Sequence, residues 1–271
     1  MWKKRLRKEF SMNKINFKLK SAEEIEKLAR GGVILRDVLE KVALMVKPGI
    51  TGIELDTAAE KMLRDKNAEP AFKGFSSTGD PKDAFPATLC ISPNSAVVHG
   101  IPNDQPFEEG DIVSLDIGCR FEGMFTDTAT TVAVGKISSE TKRLISVTRQ
   151  ALQAGVDVVR PGVKTGDIGA AIQKVAERAG FSIVRELVGH GVGFEVHEAP
   201  AVPNYGAKGS GVALPIGTVI AIEPMLNLGK KEIVTANDGW TVLTEDGSIS
   251  AHEELTVAIV ENGVRVLTRT K

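Results

Sequence analysis

KPGITGIELDTAAEKMLR, Lys47 to Arg64, returns later in the chain as RPGVKTGDIGAAIQKVAER, Arg160 to Arg178, with the two prolines 113 positions apart. Each phrase follows a helix-like stretch and precedes a strand-like one. A single echo at that period is far too long for a solenoid repeat, and it predicts a duplicated half-domain of helices plus strands built around one core. Chance similarity of two helix-turn-helix phrases is the competing explanation on these residues alone. Upstream of the first phrase, Ser21 and Glu24 form a capping box, and Ile25, Leu28, Ala29, Leu35, Val38, Leu39 and Val42 recur at helical spacing until Pro48-Gly49 stops the helix. Thr51 and Glu54 repeat the box and open a second helix that runs to about Lys66. No Pro/Ser-rich linker separates the halves, so the expectation is one α+β domain over 20–271 with an antiparallel or mixed sheet.

Composition narrows the class. The chain has 271 residues, 42% of them hydrophobic and 25% charged, enough to bury one sizeable core. A net charge of −1 supplies no global field for nucleic acid or an anionic membrane, so no specific DNA binding is expected. No apolar run approaches the roughly 20 residues of a membrane span. Two cysteines, Cys90 and Cys119, make no disulfide framework and point to a reducing setting. The opening MWKKRLRKEFSMNK is basic but lacks the apolar stretch of a secretory signal. Residues 1–19 read as a flexible extension: a solvated tail, an over-long start ahead of Met12, or an arm that faces ribosome or RNA.

Chemistry concentrates in five residues: Asp116, Asp127, His190, Glu223 and Glu254. In GDIVSLDIGCRFEGMFTDTATT, a two-residue turn at Glu122-Gly123 pairs Phe121 with Met124 and Gly118 with Asp127. Asp116 then lies diagonal to Asp127 on the same face, whereas a slip of one residue would part them. In GHGVGFEVHEAP, glycines flank His190 and open close approach to the backbone. His197 is seven residues on, so on a regular strand the imidazoles would face opposite ways. Either the chain bends or the histidines differ in role. Glu223 precedes Pro224 and follows the apolar run Val219 to Ile222. Glu254 is expected in a hairpin strand after the Asp246-Gly247 turn signal, ahead of the apolar Leu255 to Val260. Four carboxylates and one imidazole suit two divalent cations, whether Mn, Fe, Co or Zn, and a hydrolase in which metal activates water.

These residues, in this order, resemble the metallopeptidases of the pita-bread fold, a pseudo-two-fold α+β domain, and within them the type I methionine aminopeptidases. The likeness runs from about Asn16 to Thr268 through PAFKGF, FPATLCISPNSAVVHGIP, GDIVSLDIG, FTDTATT, GHGVGFEVHEAP, IEPM and DGWTVLTEDGSISAHEELTV. The resemblance implies that Asp116 chelates one metal, His190 and Glu223 the other, and that Asp127 and Glu254 bridge both. It implies that Glu223 also shuttles a proton, and that His99 and His197 are non-ligand histidines that bond the substrate. It assigns Phe72, Phe75, Phe85, Cys90 and Trp240 to an apolar methionine pocket. The substrates implied are N-terminal peptides of nascent proteins with a small second residue, met by a cytoplasmic monomer in transient contact with the ribosome. Two departures bear on selectivity: SSTGDPKDA, Ser76 to Ala84, lengthens the segment between Phe75 and Phe85, and Val196 stands where many relatives carry an aromatic residue. GFEVHEAP also resembles Xaa-Pro dipeptidases and aminopeptidases P, which usually carry a large N-terminal domain. A non-catalytic peptide-binding relative is the remaining alternative, although such proteins lose metal ligands.

Overall fold

Each half of the chain begins with two helices whose capping polar groups are written into the sequence. The structure, a computed structural model, describes residues 17–76 and 78–269. The expected basic extension therefore lies outside the described residues except for 17–19. Helix α1 (Ala22–Met45) starts at the Ser21/Glu24 box and α2 (Gly52–Asp65) at the Thr51/Glu54 box, with both reciprocal bonds formed in each. Helix α1 ends three residues before Pro48, because Val46 is already extended. Helices α3 (Ser139–Asp157) and α4 (Thr165–Arg178) open the second half.

The echo has a structural counterpart. Gly49 N–H donates to the Phe107 carbonyl at 2.8 Å, and Gly162 N–H donates to the Leu214 carbonyl at 2.8 Å. Thr51 and Lys164, the residues that cap α2 and α4, each make an isolated antiparallel bridge, to Pro106 and Ala213 respectively. Both glycines have positive φ, 90° and 79°, where a side chain would be strained. Two Pro-Gly turns with the same bonds at corresponding places are what a duplicated half-domain requires.

The first half supplies strands β1 (Glu69–Pro70), β2 (Leu89–Pro93), β3 (Ala96–Val98), β4 (Ile112–Phe121) and β5 (Met124–Ala133). The second supplies β6 (Ser182–Ile183), β7 (Gly189–Gly191), β8 (Glu198–Val202), β9 (Val219–Ile222) and β10 (Met225–Asn227). There follow β11 (Ile233–Thr235), β12 (Val242–Thr244), β13 (Ser250–His252), β14 (Glu254–Val260) and β15 (Gly263–Val266). The main sheet runs β1-β4-β5-β14-β9-β7-β8, with β2 on β4 and β15 on β14, and every observed pairing is antiparallel. Of the antiparallel and mixed arrangements left open by the sequence, the structure has the first. Two three-stranded sheets, β13-β10-β6 and β11-β12-β3, complete the frame.

The β4–β5 hairpin has the register read from its sequence: Phe121 faces Met124, Gly118 faces Asp127 and Asp116 faces Ala129. Glu122 and Gly123 both take positive φ, 48° and 81°, the signature of a turn whose twist matches its strands. The expected hairpin around Asp246-Gly247 is corrected. The turn forms, with Gly247 N–H on the Thr244 carbonyl, but its flanking strands β12 and β13 pair into different sheets. Turn chemistry reports a local reversal; which strand each arm meets depends on distant partners.

The helices cover one side of the sheet in two apolar groups. Leu35, Leu39, Leu55 and Leu63 of α1 and α2 pack with Leu89, Leu115 and Ile117. Leu144, Ile168 and Ile172 of α3 and α4 pack with Ile220, Ile222, Leu255 and Val257. Gly32 lets α1 press against the last described segment, since a Cβ there would sit 2.2 Å from the Leu267 carbonyl oxygen. Gly32→Ala is expected to lower stability by about 1–3 kcal/mol through overpacking against backbone. Urea unfolding checks this, and an unchanged midpoint would mean that the segment around Leu267 moves aside freely.

Candidate metal centre and its pocket

Five neighbouring segments of the main sheet converge on one cavity of about 710 Å³. Asp116 and Asp127 come from β4 and β5, Glu254 opens β14 opposite Ala129, Glu223 follows β9, and His190 is the middle residue of β7. Asp116 lies four residues after the start of β4, and Glu223 four residues after the start of β9, so the duplicated halves place a carboxylate at matching points. The Asn204 side-chain amide donates to the Glu223 carbonyl at 3.1 Å and pins the Glu-Pro step. Ligand atoms of Asp127, His190 and Glu254 lie within 4.8 Å of one another. His190 Nε2 is 3.5 Å from Glu223 Oε1.

The acids are poorly satisfied by the protein alone. Asp116 Oδ1, Asp127 Oδ1 and Glu254 Oε1 are buried with no hydrogen-bond partner among the described residues. Burial pushes the Asp116 carboxyl up to about 7. Burial, then repulsion from Glu254 and Asp116, holds Asp127 well above the usual carboxylate range. Glu223 is raised by burial and by Asp127 and Asp116, and Glu254 by burial and by Glu223 and Asp116. Among the described residues, no lysine or arginine is among the causes of these shifts. Buried oxygens with unfilled acceptor capacity and an imidazole within reach are the donor set of a divalent metal site. The residues fit such an ion. His190 accepts that role as a neutral ligand, since burial lowers it to about 4.

Around the acids stand the other residues expected from the sequence. Phe72, Phe75, Phe85, Cys90, His99, His197 and Trp240 all line the same cavity. The seven-residue spacing from His190 to His197 is resolved by bending, because the strand pairing shifts between Gly189 and Gly191 and 192–197 form no strand. Their rings meet edge to face with centroids 4.4 Å apart. Phe75 packs on His197 at 5.2 Å and Phe85 on Trp240 at 5.3 Å. Trp240 is aimed by Asp238, whose Oδ1 accepts from the Trp240 and Thr241 amides. His99 has φ 58°, a left-handed conformation uncommon outside glycine, and such strain gathers at functional sites. Burial keeps all three cavity histidines neutral, with His99 lowered to about 4 and His197 well below its usual value.

Thr78 and Gly79 of the lengthened Ser76 to Ala84 segment reach the cavity, while Pro81–Asp83 forms a short 3-10 turn. Val196 is buried beside Phe72, Phe85 and Cys90. One residue was missed: His252 is buried with Nε2 3.9 Å from Glu223 Oε2, behind the carboxylate. Its only signal in the sequence was its place two residues before Glu254.

Metallopeptidase family M24 matches residues 26–264, nearly the whole chain. The chain belongs to that family. A methionine aminopeptidase of Clostridium perfringens is 44% identical over 253 residues, covering 93% of this chain and 99% of its own. The crystal structure of methionine aminopeptidase from Thermotoga maritima superposes with a TM-score of 0.90 at 39% identity, over 94% of this chain and 100% of that one. An X-Pro aminopeptidase from the same organism shares the fold, with a TM-score of 0.71 at 23% identity over 93% of this chain and 63% of its own. The pita-bread architecture expected from the sequence is the one observed.

Proposed function

We propose that the chain removes N-terminal methionine from peptides whose second residue is small, using two divalent cations held by Asp116, Asp127, His190, Glu223 and Glu254. The observation that carries this reading is that the buried acid group, with oxygens unsatisfied among the described residues, lines the same cavity as an apolar wall. The relatives that match along nearly their full length are named methionine aminopeptidases, which supports the same activity here. When bound, the cations supply Lewis acidity that lowers the pKa of water and polarises a carbonyl.

The chain's own residues do the rest. Phe72, Phe75, Phe85, Cys90, Val196 and Trp240 form walls suited to an unbranched thioether, whose sulfur gains from aromatic edges. The acidic group beyond them favours a free terminal ammonium, which restricts attack to the first peptide bond. His197 and His99, neutral at pH 7, donate N–H bonds: His197 to the scissile carbonyl oxygen as it gains charge, His99 to the adjoining amide. Glu223 carries a proton to the leaving amine. His252 stands behind it and limits where that carboxylate can swing. Both cysteines are free thiols, in keeping with a cytoplasmic enzyme acting on nascent chains. Among the described residues no helix is long and apolar enough to cross a membrane.

The test is to load the purified chain with Mn or Co, offer Met-Ala-Ser and Ala-Pro peptides together, and identify released residues by mass spectrometry. Free methionine, abolished by chelator, is the expected product. Cleavage confined to Xaa-Pro bonds would transfer the chain to the X-Pro enzymes, and no cleavage under any divalent metal would leave a binding protein.

A further inference from the structure

The short segment ahead of α1 carries two lysines at alternate positions, Lys18 and Lys20, and both face the turn that ends at His197. Lys20 Nζ meets Glu198 Oε2 at 2.5 Å, with side chains only 2% and 0% exposed. Lys18 Nζ meets Glu195 at 2.5 Å on the surface. The other oxygen of Glu198 accepts the amides of Phe194 and Glu195, at 2.5 and 2.9 Å. The turn is closed directly onto the lysine stem: a Cβ at Gly193 would lie 2.4 Å from Lys20 Cε. The Phe194 ring lies 5.0 Å from the ammonium. Lys20 is itself anchored, its amide donating to the Gly217 carbonyl at 2.8 Å.

Stability alone is a poor account of this pair. A buried ion pair loses hydration on both sides, and an apolar pair of the same size is often as stable; its attested use is to select one arrangement. Burial lowers the pKa of Lys20, which registers that lost hydration. What the pair selects is visible in the bonds. Glu198 follows His197 directly, and its carboxylate ties three points together: the start of the turn, its end, and a segment 178 residues earlier in the chain.

We infer that Lys20 is a positioning residue for His197: through Glu198 it fixes the turn 193–197 so that the imidazole is presented to the substrate carbonyl. This rests on the aminopeptidase reading only for what His197 bonds to; the geometry of the turn is independent of it. Lys20 makes its ion pair with Glu198 and not with the five acid and imidazole groups assigned to metal, and because Glu198 acts electrostatically on His190, metal content is measured beside kcat. The segment 17–20, outside the residues 26–264 that the family match spans, thereby becomes part of the active site.

Two variants test this. Lys20→Met keeps the stem but leaves a buried unpaired carboxylate, and it could fail to fold for that reason alone. Lys20→Met combined with Glu198→Gln removes both charges while keeping an oxygen for the turn amides. In the combined variant, kcat for Met-Ala-Ser is expected to fall on the order of tenfold to a hundredfold with KM within about twofold, the range for a misplaced catalytic group. Metal stoichiometry by elemental analysis stays unchanged. In imidazole-region 15N NMR of the metal-free chain, the His197 signals shift or broaden while those of His252 hold. Wild-type kcat and an unmoved His197 signal in the folded combined variant would overturn the inference. So would loss of metal together with activity, which would make the pair a general support of the fold. Should the wild-type chain release no methionine while the His197 signal still moves as expected, the proposed activity fails and the positioning role stands.

Discussion

Stripped of divalent metal, the chain is expected to melt about 5–10 °C lower for each site that had been held at a hundredfold excess over its Kd. Such occupancy contributes about 2.7 kcal/mol, and a domain of this size shifts by about 2–4 °C per kcal/mol. The empty site gathers four carboxylates with no cation among the causes acting on them. Each like-charged pair at about 4 Å is repulsive by on the order of 4 kcal/mol at an effective dielectric of 20, so the acids take protons instead. That gives the metal-free protein a definite pH response. Asp116, at about 7, and its three neighbours, all raised, bind protons in the folded state that an unfolded carboxylate does not bind. Their contribution is complete below the unfolded value near 4 and disappears as pH rises through the folded one. Buried His99, His190 and His252, lowered to about 4, 4 and 3, act the other way, chiefly below the unfolded histidine value near 6.5. Between pH 8 and 6.5 the acids outweigh the four histidines, which in the unfolded chain become half protonated only at the lower end, so the metal-free melting temperature should climb as pH falls; each extra proton bound is worth about 1.4 kcal/mol per pH unit. Below pH 6.5 the histidines flatten or reverse the trend. The loaded protein behaves oppositely, because protons compete with metal for the same groups. Calorimetry at pH 6.5 and 8, with and without chelator, decides it; a transition that ignores both metal and pH would remove the metal site from consideration.

His197→Ala should leave metal content unchanged and lower kcat by roughly a hundredfold to a thousandfold, the usual effect of removing a donor aimed at a developing oxyanion. The imidazole is buried and neutral, and it packs between Phe75 and His190. KM should change little, since the bond strengthens only as the carbonyl gains charge. His99→Ala follows the same pattern. Elemental analysis of the purified variants separates this from a ligand role: a variant that loses metal along with activity would make its histidine a ligand.

Features specified by short stretches of sequence were legible. Both capping boxes form, and the β4–β5 register follows from one two-residue turn and strict alternation. Asp116, Asp127, His190, Glu223 and Glu254 were legible from their own phrases, as carboxylates in or beside apolar runs and a histidine between glycines, whereas the cavity positions of His99, His197, Phe72, Phe75, Phe85, Cys90 and Trp240 were expected only through the family resemblance. Features that depend on distant partners were not. The arms of the Asp246-Gly247 turn separate into different sheets because β3 and β10 compete for them. His252 acquires meaning only through Glu223, and Lys20 only through Glu198, 178 residues away. A lone lysine before a helix carries no sign that it will be buried.

The placement of β14 has a bearing on how such a molecule is born. β14 is the only strand among the described residues that joins β5 to β9, and it is encoded after both. A ribosome delivers the chain from its N-terminal end, so β5 and β9 are both made before the strand that joins them. Only when Glu254–Val260 leaves the exit tunnel can the two be joined. The same strand brings Glu254 with it, so closure of the sheet and completion of the acid cluster are one event. A chain cut short before β14 therefore lacks Glu254 together with the strand that joins β5 to β9.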